Sequence, residues 1–428
     1  MKIGLLGCGN VGSAFIKLLI DNRESIKERC GEDLELAAVV VRDLDRERPE
    51  WVDPALLTTD ARSVVLAPDI DLIVEVIGDV TASKELIEAA LQASKSVVTA
   101  NKALLAESYF ELEDLAETVG KDIFFEAAVA GGIPLIRSLR VSLVGERLSR
   151  VTGIVNGTTN FILTRMYEEN LSFSAALKLA QELGYVEADP RADLEGFDAA
   201  AKAAILASIA FGRKVRFNDV QCEGIVHVRE SDVNFARRHG FVVKLLAQCE
   251  RIVVRSEDDE FSVRVFPALL PETHPLAAVR DAFNAVFVEG EAVGELMFYG
   301  RGAGGLPTAS AVMGDVIDAA QNLRFGSTER RTRTKDARIV DYARLTSQFY
   351  VSVEVVDEPG VLASVAEIFG ANEVSISSME QIGLADEARL VFLTHPTTEG
   401  SIARTLEGLR RLRTVKEIGH SMRVVTEG

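Results

Sequence analysis

The feature that most constrains the fold of this chain is a glycine motif near its start. The short apolar run "KIGLL" at residues 2–6 is followed by "GCGNVG" and then by apolar residues at helical spacing. In a GxGxxG loop between a strand and a helix, the first glycine permits a tight turn, the second lets the backbone approach a pyrophosphate, and the third allows close helix–strand packing. The helix N-terminus, with its unpaired N–H groups, then faces the phosphates. The motif therefore predicts a dinucleotide site formed by Gly7, Gly9, Asn10, Val11 and Gly12.

Short apolar strands continue to alternate with helices after this motif. The stretches "LELAAVVV", "DLIVEVIG" and "KSVVTAN" are typical of buried strands, and "SKELIEAALQA" is typical of a helix. This alternation predicts an α/β fold with a doubly wound parallel sheet of the Rossmann type. We assign this domain to residues 1–137, together with residues 302–324.

Two further positions bear on the cofactor. Arg42 and Asp43 follow the second predicted strand. An acidic residue here would bind the ribose 2′-OH of NAD, whereas an arginine would accommodate the 2′-phosphate of NADP. Arg42 comes first and favours NADP slightly, and the choice between the two cofactors stays open. Lys102 ends another buried strand in "TANKALLA", at the edge of the sheet where ligands of open α/β folds bind.

Charge and residue spacing exclude several classes of function. The net charge is −18, whereas binding to nucleic acid or to an anionic membrane needs a basic face. The four cysteines form no CxxC pair and the five histidines show no HxxxH or HExxH spacing, so neither a disulfide framework nor a zinc site is predicted. The chain has no run of 18 apolar residues, and its N-terminus looks like a structured strand rather than a signal peptide. We expect a cytoplasmic protein.

The remainder of the chain divides into three segments. Residues 138–301 mix strand-like stretches with helices and predict a second, α+β domain. Residues 325–347 include a polar, charge-dense stretch and are expected to be a linker. Residues 348–428 run strand, helix, strand, strand, helix, strand, which is the ferredoxin-like arrangement.

A lysine lies within the most apolar predicted helix of the second domain. In "GFDAAAKAAILASIAFG", Lys202 follows Asp198 by four residues, so the two side chains share one face of the helix. Lysine is rarely buried without a partner. One interpretation is a structural ion pair, although such pairs often give little net stability because desolvation opposes the Coulomb attraction. The other is a desolvated lysine that gives or takes a proton in catalysis.

These segments together resemble the homoserine dehydrogenases, in the bacterial monofunctional form with a C-terminal ACT domain. The resemblance rests on "GLLGCGNVG", "TANKALLA", "FFEAAVAGGIPLI", "GIVNGTTNFIL", "GYVEADPRADLEGFDAAAKAAILA", "GAGGLPTASAVMGD" and the turn in "VVDEPGVLASVAEIF". It covers essentially the whole chain and implies a Rossmann domain, a central substrate and dimerisation domain, and a regulatory ACT domain. Asp79 in "EVIGD" and Arg301 in "GRGAG" depart from the common pattern of the family, and neither removes a chemical group.

The resemblance also implies an activity and the residues that perform it. The family interconverts L-aspartate 4-semialdehyde and L-homoserine with NAD(P), in the biosynthesis of threonine, methionine and isoleucine. Lys202 would be the catalytic acid/base, and Lys102 would be a second catalytic lysine beside cofactor and substrate. Glu187 and Asp198 would bind the substrate. Reduction of the aldehyde yields an alkoxide that must be protonated, and a lysine can supply that proton.

Further ligands and partners are implied in the same way. Gly302 would belong to a glycine loop, residues 300–305, that closes over the nicotinamide. A sodium ion would bind backbone carbonyls at Glu126, Val129, Gly131 and Ile133. The ACT domain would bind a small amino acid, L-threonine by preference, between two copies in a homodimer or homotetramer.

Two alternatives remain at this point. A non-catalytic amino-acid sensor with a degenerate dehydrogenase fold would have lost the acid/base lysine or the glycine loop, and this chain keeps both. An aspartate-semialdehyde dehydrogenase would need a nucleophilic cysteine to form a thioester. Cys222 and Cys249 have no neighbouring histidine in the sequence, but distance along the chain does not decide this.

Overall fold

The computed structural model describes residues 1–186, 189–252, 259–328, 334–384 and 387–425. Its strands are β1 (Lys2–Leu6), β2 (Glu35–Val40), β3 (Leu57–Thr58), β4 (Leu72–Glu75), β5 (Ser96–Thr99), β6 (Ile123–Phe124), β7 (Leu148–Ile154), β8 (Arg213–Lys214), β9 (Gln221–Cys222), β10 (Phe241–Ile252), β11 (Glu260–Pro271), β12 (Phe283–Gly290), β13 (Gly294–Arg301), β14 (Lys335–Asp336), β15 (Thr346–Val356), β16 (Ile376–Leu384), β17 (Glu387–Thr394), β18 (Thr397–Thr398) and β19 (Val415–Val424).

The α-helices, also in chain order, are α1 (Asn10–Asp21), α2 (Arg23–Cys30), α3 (Ala61–Leu66), α4 (Val80–Gln92), α5 (Lys102–Val119), α6 (Gly157–Glu169), α7 (Phe173–Glu182), α8 (Arg191–Leu194), α9 (Phe197–Phe211), α10 (Glu230–Arg238), α11 (Gly305–Phe325), α12 (Val361–Ala371) and α13 (Glu399–Arg410). These elements group into two compact units. The first unit consists of residues 1–148, 204–217 and 290–337, and the second of residues 149–203, 218–289 and 338–428.

The first unit is built on a parallel sheet with the strand order β3-β2-β1-β4-β5-β6. Strands β4 and β5 are buried at every position, as expected for a sheet covered by helices on both faces. Helix α11 joins the same core, where Val312, Val316 and Ala320 pack with Phe15 of α1. The order in which successive strands are added to the sheet reverses between β1 and β4. Doubly wound folds bind their ligands at this position. The predicted Rossmann-type sheet is confirmed.

The second unit contains a long mixed sheet. Strands β12, β7, β10 and β11 are consecutive neighbours, and the order continues through β19, β15, β17 and β16. The C-terminal part has the predicted strand–helix–strand–strand–helix–strand order, with the two-residue β18 added before α13. Its core includes Val351, Val365, Phe369 and Phe392. The predicted ferredoxin-like fold is confirmed.

Strand β19 has a partner on each side. It pairs antiparallel with β15 and parallel with β11, through Ala268 opposite Arg423 and Leu269 opposite Val424. The sheet of the C-terminal segment therefore continues the sheet of the central segment. In the described part of the chain, no helix has the length and apolar character needed to cross a bilayer.

Candidate active site

The glycine loop in the first unit has the conformation that its three glycines predict. Gly7 has a φ of +106°, in the region that favours glycine. A Cβ on Gly12 would lie 2.2 Å from the Gly7 carbonyl oxygen, so only glycine allows α1 to approach the loop this closely. A Cβ on Gly9 would meet nothing within 4 Å, which leaves open space on the side where a pyrophosphate would lie. Asn10 begins α1, and Val11 packs partly buried against the core.

A cavity of about 580 Å³ opens beside this loop. Its walls come from the glycine loop, the segment after β2 and the start of α4, including Gly7, Gly9, Arg42, Asp43, Arg46, Arg48 and Asp79. Arg42 is exposed, whereas Arg48 donates hydrogen bonds to the carbonyls of Asp43 and Arg46 at 2.5 and 2.7 Å. Three arginines and two aspartates line the cavity, which leaves a net positive lining that suits an anionic group.

Hydrogen bonds connect the carboxyl ends of β4 and β5 next to Lys102. The Glu75 carboxylate accepts hydrogen bonds from the hydroxyls of Ser83 (2.9 Å) and Thr99 (2.6 Å). The Thr99 hydroxyl in turn accepts from the Asn101 N–H at 3.0 Å. Asn101 caps α5 by accepting from the Leu104 N–H at 3.1 Å. These contacts fix the first turn of α5, which starts at the exposed Lys102.

The second glycine loop, residues 300–305, contacts the first. A Cβ on Gly305 would lie 2.9 Å from the Asn10 carbonyl oxygen, and a Cβ on Gly131 would lie 2.3 Å from the Gly302 carbonyl oxygen. The Gly132 N–H donates to the Arg301 carbonyl at 3.0 Å. The second glycine loop is therefore held between the start of α1, through Gly305, and the turn at residues 131–132, through Arg301 and Gly302.

The turn that includes Gly131 carries the four positions predicted for a sodium ion. Ala130 and Gly131 both have positive φ values, of 57° and 51°. Glu126 is buried, and its two carboxylate oxygens accept the N–H groups of Ile136 (2.8 Å) and Arg137 (2.7 Å). Burial raises the pKa of Glu126 despite these hydrogen bonds.

Hard cations prefer oxygen ligands, and this turn offers the backbone carbonyls of Glu126, Val129, Gly131 and Ile133 in buried surroundings. Burial also raises the pKa of Asp315, which accepts from the Glu126 N–H at 2.8 Å. The Arg137 guanidinium already lies 3.3 Å from Asp315, and a cation at the carbonyls would add a second positive charge beside these buried carboxyl groups. The donor chemistry therefore fits a cation. Among the described residues, no group of three or more His, Cys, Asp and Glu side chains is arranged to hold a metal ion.

In the second unit, the charged pair predicted on α9 is present and buried. Residues 198–208 of this helix are all buried. The Lys202 Nζ donates to Asp198 Oδ2 and to the Val155 carbonyl oxygen, both at 2.7 Å. The side chains of Lys202 and Asp198 are 9% and 5% exposed. The ammonium therefore lies where strand β7 ends and the chain turns into α6.

Asn156 completes this cluster and was not assigned a role from the sequence. Its Nδ2 donates to Asp198 Oδ2 (2.8 Å) and to Asp193 Oδ1 (2.7 Å), while its Oδ1 accepts from the Thr159 N–H at the start of α6. The available signal was an asparagine directly before a helix in "GIVNGTTNF", a favoured N-cap. Glu75 was missed as well, although an acidic residue inside "LIVEVIG" is a comparable signal. Glu187 lies outside the described residues.

The two cysteines considered as nucleophiles, the partly buried Cys222 and the buried Cys249, both donate to backbone carbonyls. Burial, with smaller contributions from Glu223 and Glu195, raises the pKa of the Cys222 thiol to about 11. That thiol donates to the Glu195 carbonyl at 3.3 Å, and the buried Cys249 thiol donates to the Ala203 carbonyl at 3.4 Å. Because the thiolate is the reactive form, the raised pKa of Cys222 does not suit thioester formation at that residue.

Comparison with known proteins assigns the family. Residues 7–126 match "Homoserine dehydrogenase, NAD binding domain", residues 134–317 match "Homoserine dehydrogenase", and residues 349–414 match "ACT domain". A homoserine dehydrogenase of Corynebacterium glutamicum is 45% identical, over 99% of this chain and 95% of its own length.

Solved structures agree with this assignment. The crystal structure of a homoserine dehydrogenase from Thiobacillus denitrificans has a TM-score of 0.93 and 37% identity, with 99% of this chain and 98% of that chain covered. A hyperthermophilic archaeal homoserine dehydrogenase in complex with NADPH has a TM-score of 0.63 and 29% identity, with 77% of this chain and 99% of that chain covered. The resemblance predicted from the sequence is confirmed: this chain belongs to the homoserine dehydrogenase family of NAD(P)-binding oxidoreductases.

Proposed function

We propose that Lys202 is the acid/base of homoserine dehydrogenation and that Asp198 and Glu187 hold the substrate. A nicotinamide bound beside the glycine loop would supply a hydride acceptor for the carbon that bears the hydroxyl of L-homoserine, or a hydride donor for the aldehyde carbon of L-aspartate 4-semialdehyde. As the neutral amine, Lys202 takes the hydroxyl proton when homoserine is oxidised, and as the ammonium it gives the proton back when the aldehyde is reduced. The charges of Asp198 and Glu187 are complementary to the α-ammonium of the substrate.

The buried pair on α9 is the observation that carries this proposal. A lysine that served only stability would gain little from this position, because desolvation opposes the attraction to Asp198. Buried lysines are also used as proton-transfer groups in catalysis. The Val155 carbonyl and Asp198 hold the Nζ from two directions at 2.7 Å, which fixes the atom that would exchange the proton.

Lys102 is proposed as the second catalytic lysine, adjacent to the cofactor. Its support is its position as the first residue of α5, at the carboxyl end of β5, above the network formed by Glu75, Thr99 and Asn101. A positive charge there would stabilise negative charge that develops on the substrate oxygen. We propose that Gly302 belongs to a glycine loop, residues 300–305, that closes over the nicotinamide.

The cofactor preference is proposed to be NADP over NAD. Arg42, Arg46 and Arg48 all line the cavity beside the glycine loop, and arginine is suited to recognition of phosphate. Asp43 on the same wall opposes this preference by repelling a 2′-phosphate. One archaeal relative of 29% identity has been solved in complex with NADPH.

A sodium ion on the carbonyls of the Gly131 turn is proposed to stiffen the loop against which Gly302 packs.

The C-terminal ACT domain is proposed to bind a small amino acid, L-threonine by preference, and to change the activity of the enzyme. Its turn "DEPG" precedes α12, where Gly360 has a φ of +89°. In the described part of the sheet, β16 is the terminal strand, and a terminal strand can pair with a second copy. We therefore propose a homodimer or homotetramer, to be measured by light scattering.

We also propose that the protein is cytoplasmic, which cell fractionation would check. Its proposed role is in the biosynthesis of threonine, methionine and isoleucine.

One set of initial-rate assays tests the function. Homoserine oxidation should be measured with NAD and with NADP, each with and without L-threonine. Turnover of homoserine with either nucleotide supports the enzyme, whereas threonine binding without any turnover supports the amino-acid sensor. A threonine effect on rate requires different affinities in two states of the enzyme, so calorimetric binding alone is not enough.

A further inference from the structure

A short segment of the second unit, residues 221–225, lies between the last strand of the chain and the turn that precedes α9. It begins with β9, which pairs with β11 through Gln221 opposite Arg264. The Glu223 N–H then donates to the Val265 carbonyl at 2.8 Å, which continues this attachment. The side chain of Glu223 faces the C-terminal segment, whereas its two neighbours contact the turn.

On the C-terminal side, the Glu223 carboxylate is held by two residues of β19. Its Oε1 lies 2.9 Å from His420 Nε2, and its Oε2 accepts from the Arg423 guanidinium at 2.6 Å. Burial alone would raise the pKa of Glu223, but the hydrogen bond from His420 and the charge of Arg423 outweigh it and lower that pKa. Arg423 also donates to Glu399, the first residue of α13, at 2.7 Å. The carboxylate is therefore bound directly to strand β19 of the ACT domain and is connected to helix α13 through Arg423.

On the other side, the neighbours of Glu223 clamp the turn at residues 194–196. The Ile225 N–H donates to the Leu194 carbonyl at 2.8 Å, and the Cys222 thiol donates to the Glu195 carbonyl at 3.3 Å. A Cβ on Gly224 would lie 2.0 Å from the Leu194 carbonyl oxygen and 2.4 Å from the Glu195 Cα. The two backbones are thus in direct contact, and neither can shift without moving the other.

This turn positions the proposed substrate and acid/base residues. The Ala200 N–H donates to the Gly196 carbonyl in the first turn of α9, which carries Asp198 and Lys202. Just before the turn, Asp193 shares the Asn156 amide with Asp198. A displacement of residues 194–196 would therefore move Asp198 relative to Asn156 and to the Val155 carbonyl.

We propose that Glu223 is a positioning residue through which strand β19 of the ACT domain sets the placement of Asp198 and Lys202, and with it the affinity for the amino-acid substrate. The proposal rests on the function proposed above for Asp198 and Lys202. It gives the ACT domain a continuous physical connection to the substrate residues: Arg423 and His420, then Glu223, then the backbone contacts of residues 222–225 with the turn. A ligand that changes the position of β19 or α13 would act on substrate binding by this route.

The test compares Glu223→Gln with a matched ion pair elsewhere in the same unit. Glu380 of β16 also binds one arginine and one histidine, Arg238 (2.8 Å) and His239 (2.9 Å), which lie at the end of α10. The two carboxylates are similarly exposed, at 36% for Glu223 and 31% for Glu380. Glu380→Gln therefore removes a contact with one arginine and one histidine between the C-terminal and central segments, at more exposed partners, without involving the turn at residues 194–196.

The full-length variants are assayed for homoserine oxidation, for nucleotide affinity by fluorescence titration and for thermal unfolding. Coupling through a positioning residue is worth roughly a 2- to 30-fold change. Glu223→Gln should raise the KM for homoserine by a factor in this range, with kcat changed less and nucleotide affinity unchanged. Glu380→Gln should leave the KM for homoserine at the wild-type value. Gly224→Ala, which keeps the ion pair but pushes against Leu194 and Glu195, should also raise KM.

Three results would overturn the proposal. One is a wild-type KM in Glu223→Gln. Another is an equal rise in KM in Glu223→Gln and Glu380→Gln, because this would reflect general loosening of the C-terminal segment. The third is a change in kcat and nucleotide affinity without a change in KM. Failure of the proposed function gives a different pattern: Lys202→Met would then keep most of its activity, whatever Glu223→Gln does.

Discussion

Replacement of Lys202 by methionine is the most direct test of the proposed chemistry. The substitution removes the ammonium and keeps an unbranched side chain of comparable length inside α9. The lost group makes two hydrogen bonds of 2.7 Å, to Asp198 Oδ2 and to the Val155 carbonyl. Because general acid–base catalysis contributes about 10²- to 10⁴-fold to rate, kcat for homoserine oxidation should fall by about that factor. Nucleotide affinity should stay the same, because the cavity beside the glycine loop contains no part of α9.

The same substitution also affects stability, and the structure indicates how to separate the two effects. Removal of one partner from a buried ion pair costs about 3–5 kcal/mol, because the other charge is left without compensation. Here Asn156 Nδ2 remains 2.8 Å from Asp198 Oδ2, so we expect a loss near the lower end of that range. The double variant Lys202→Met/Asp198→Asn removes the remaining charge and should recover part of the free energy of unfolding.

The assay pairs initial rates with urea unfolding for the wild type and both variants. If the loss of activity reflected only weakened folding, Lys202→Met would show the wild-type kcat once its rate is divided by the folded fraction that the unfolding curve gives. We expect kcat to stay low after this division. A Lys202→Met enzyme that keeps more than about one-tenth of the wild-type kcat would refute the assignment, because a general acid contributes more than that.

Four further outcomes follow from other parts of the structure. Arg42→Ala should lower kcat/KM for NADP by about 10- to 100-fold, the value of a hydrogen bond to a charged group, and leave NAD unchanged; an equal fall for both nucleotides would contradict contact with a 2′-phosphate. Sodium chloride should raise the midpoint of thermal unfolding more than choline chloride at equal ionic strength, and Gly131→Ala should abolish the difference, since its Cβ would meet the Gly302 carbonyl. Cys222, whose thiol pKa is raised by burial to about 11, should resist iodoacetamide at pH 8 in the native enzyme and react once it is unfolded. Burial lowers the pKa of Lys244 from 10.5 to about 7, so between pH 7 and pH 10.5 the unfolded chain holds a proton that the native chain lacks. The free energy of unfolding should therefore rise with pH across this window, and Lys244→Met should flatten the rise.

The nucleotide part of the site could be predicted from the sequence because its signals are local. The roles of Gly7 and Gly12 depend on backbone contacts within six residues, and those contacts appear in the structure as the motif requires. The pairing of Asp198 with Lys202 was also local, one turn of helix apart. The buried environment of Lys202 followed from the apolar residues on all sides of it. In each case the periodicity of one element was sufficient.

The partners that complete the α9 cluster could not be predicted in the same way. Asn156 is 42 positions from Asp198, and Val155 is 47 positions from Lys202. The sequence indicates that Asn156 caps a helix, but not that its amide reaches two carboxylates from other elements. A backbone carbonyl such as that of Val155 has no sequence signal at all. These contacts depend on how β7 and α9 pack, which is decided by the fold of the whole unit.

The same reasoning applies to the C-terminal segment and changes how its regulation should be tested. The polar linker in the sequence indicated that the C-terminal segment is a separate unit. In the structure, however, β19 pairs with β11, and such backbone pairing leaves no pattern in the sequence of either strand. The ion pairs of Glu223 with His420 and Arg423 also join residues about 200 positions apart. Deletion of residues 342–428 would uncover the edge of β11 and remove Glu399, the partner of the buried Arg264. Loss of activity in such a truncated enzyme would therefore report damage to the central sheet rather than loss of a regulatory ligand. Point variants in the full-length chain avoid this damage, because they alter single contacts between the ACT domain and the substrate residues while β19 stays in the sheet.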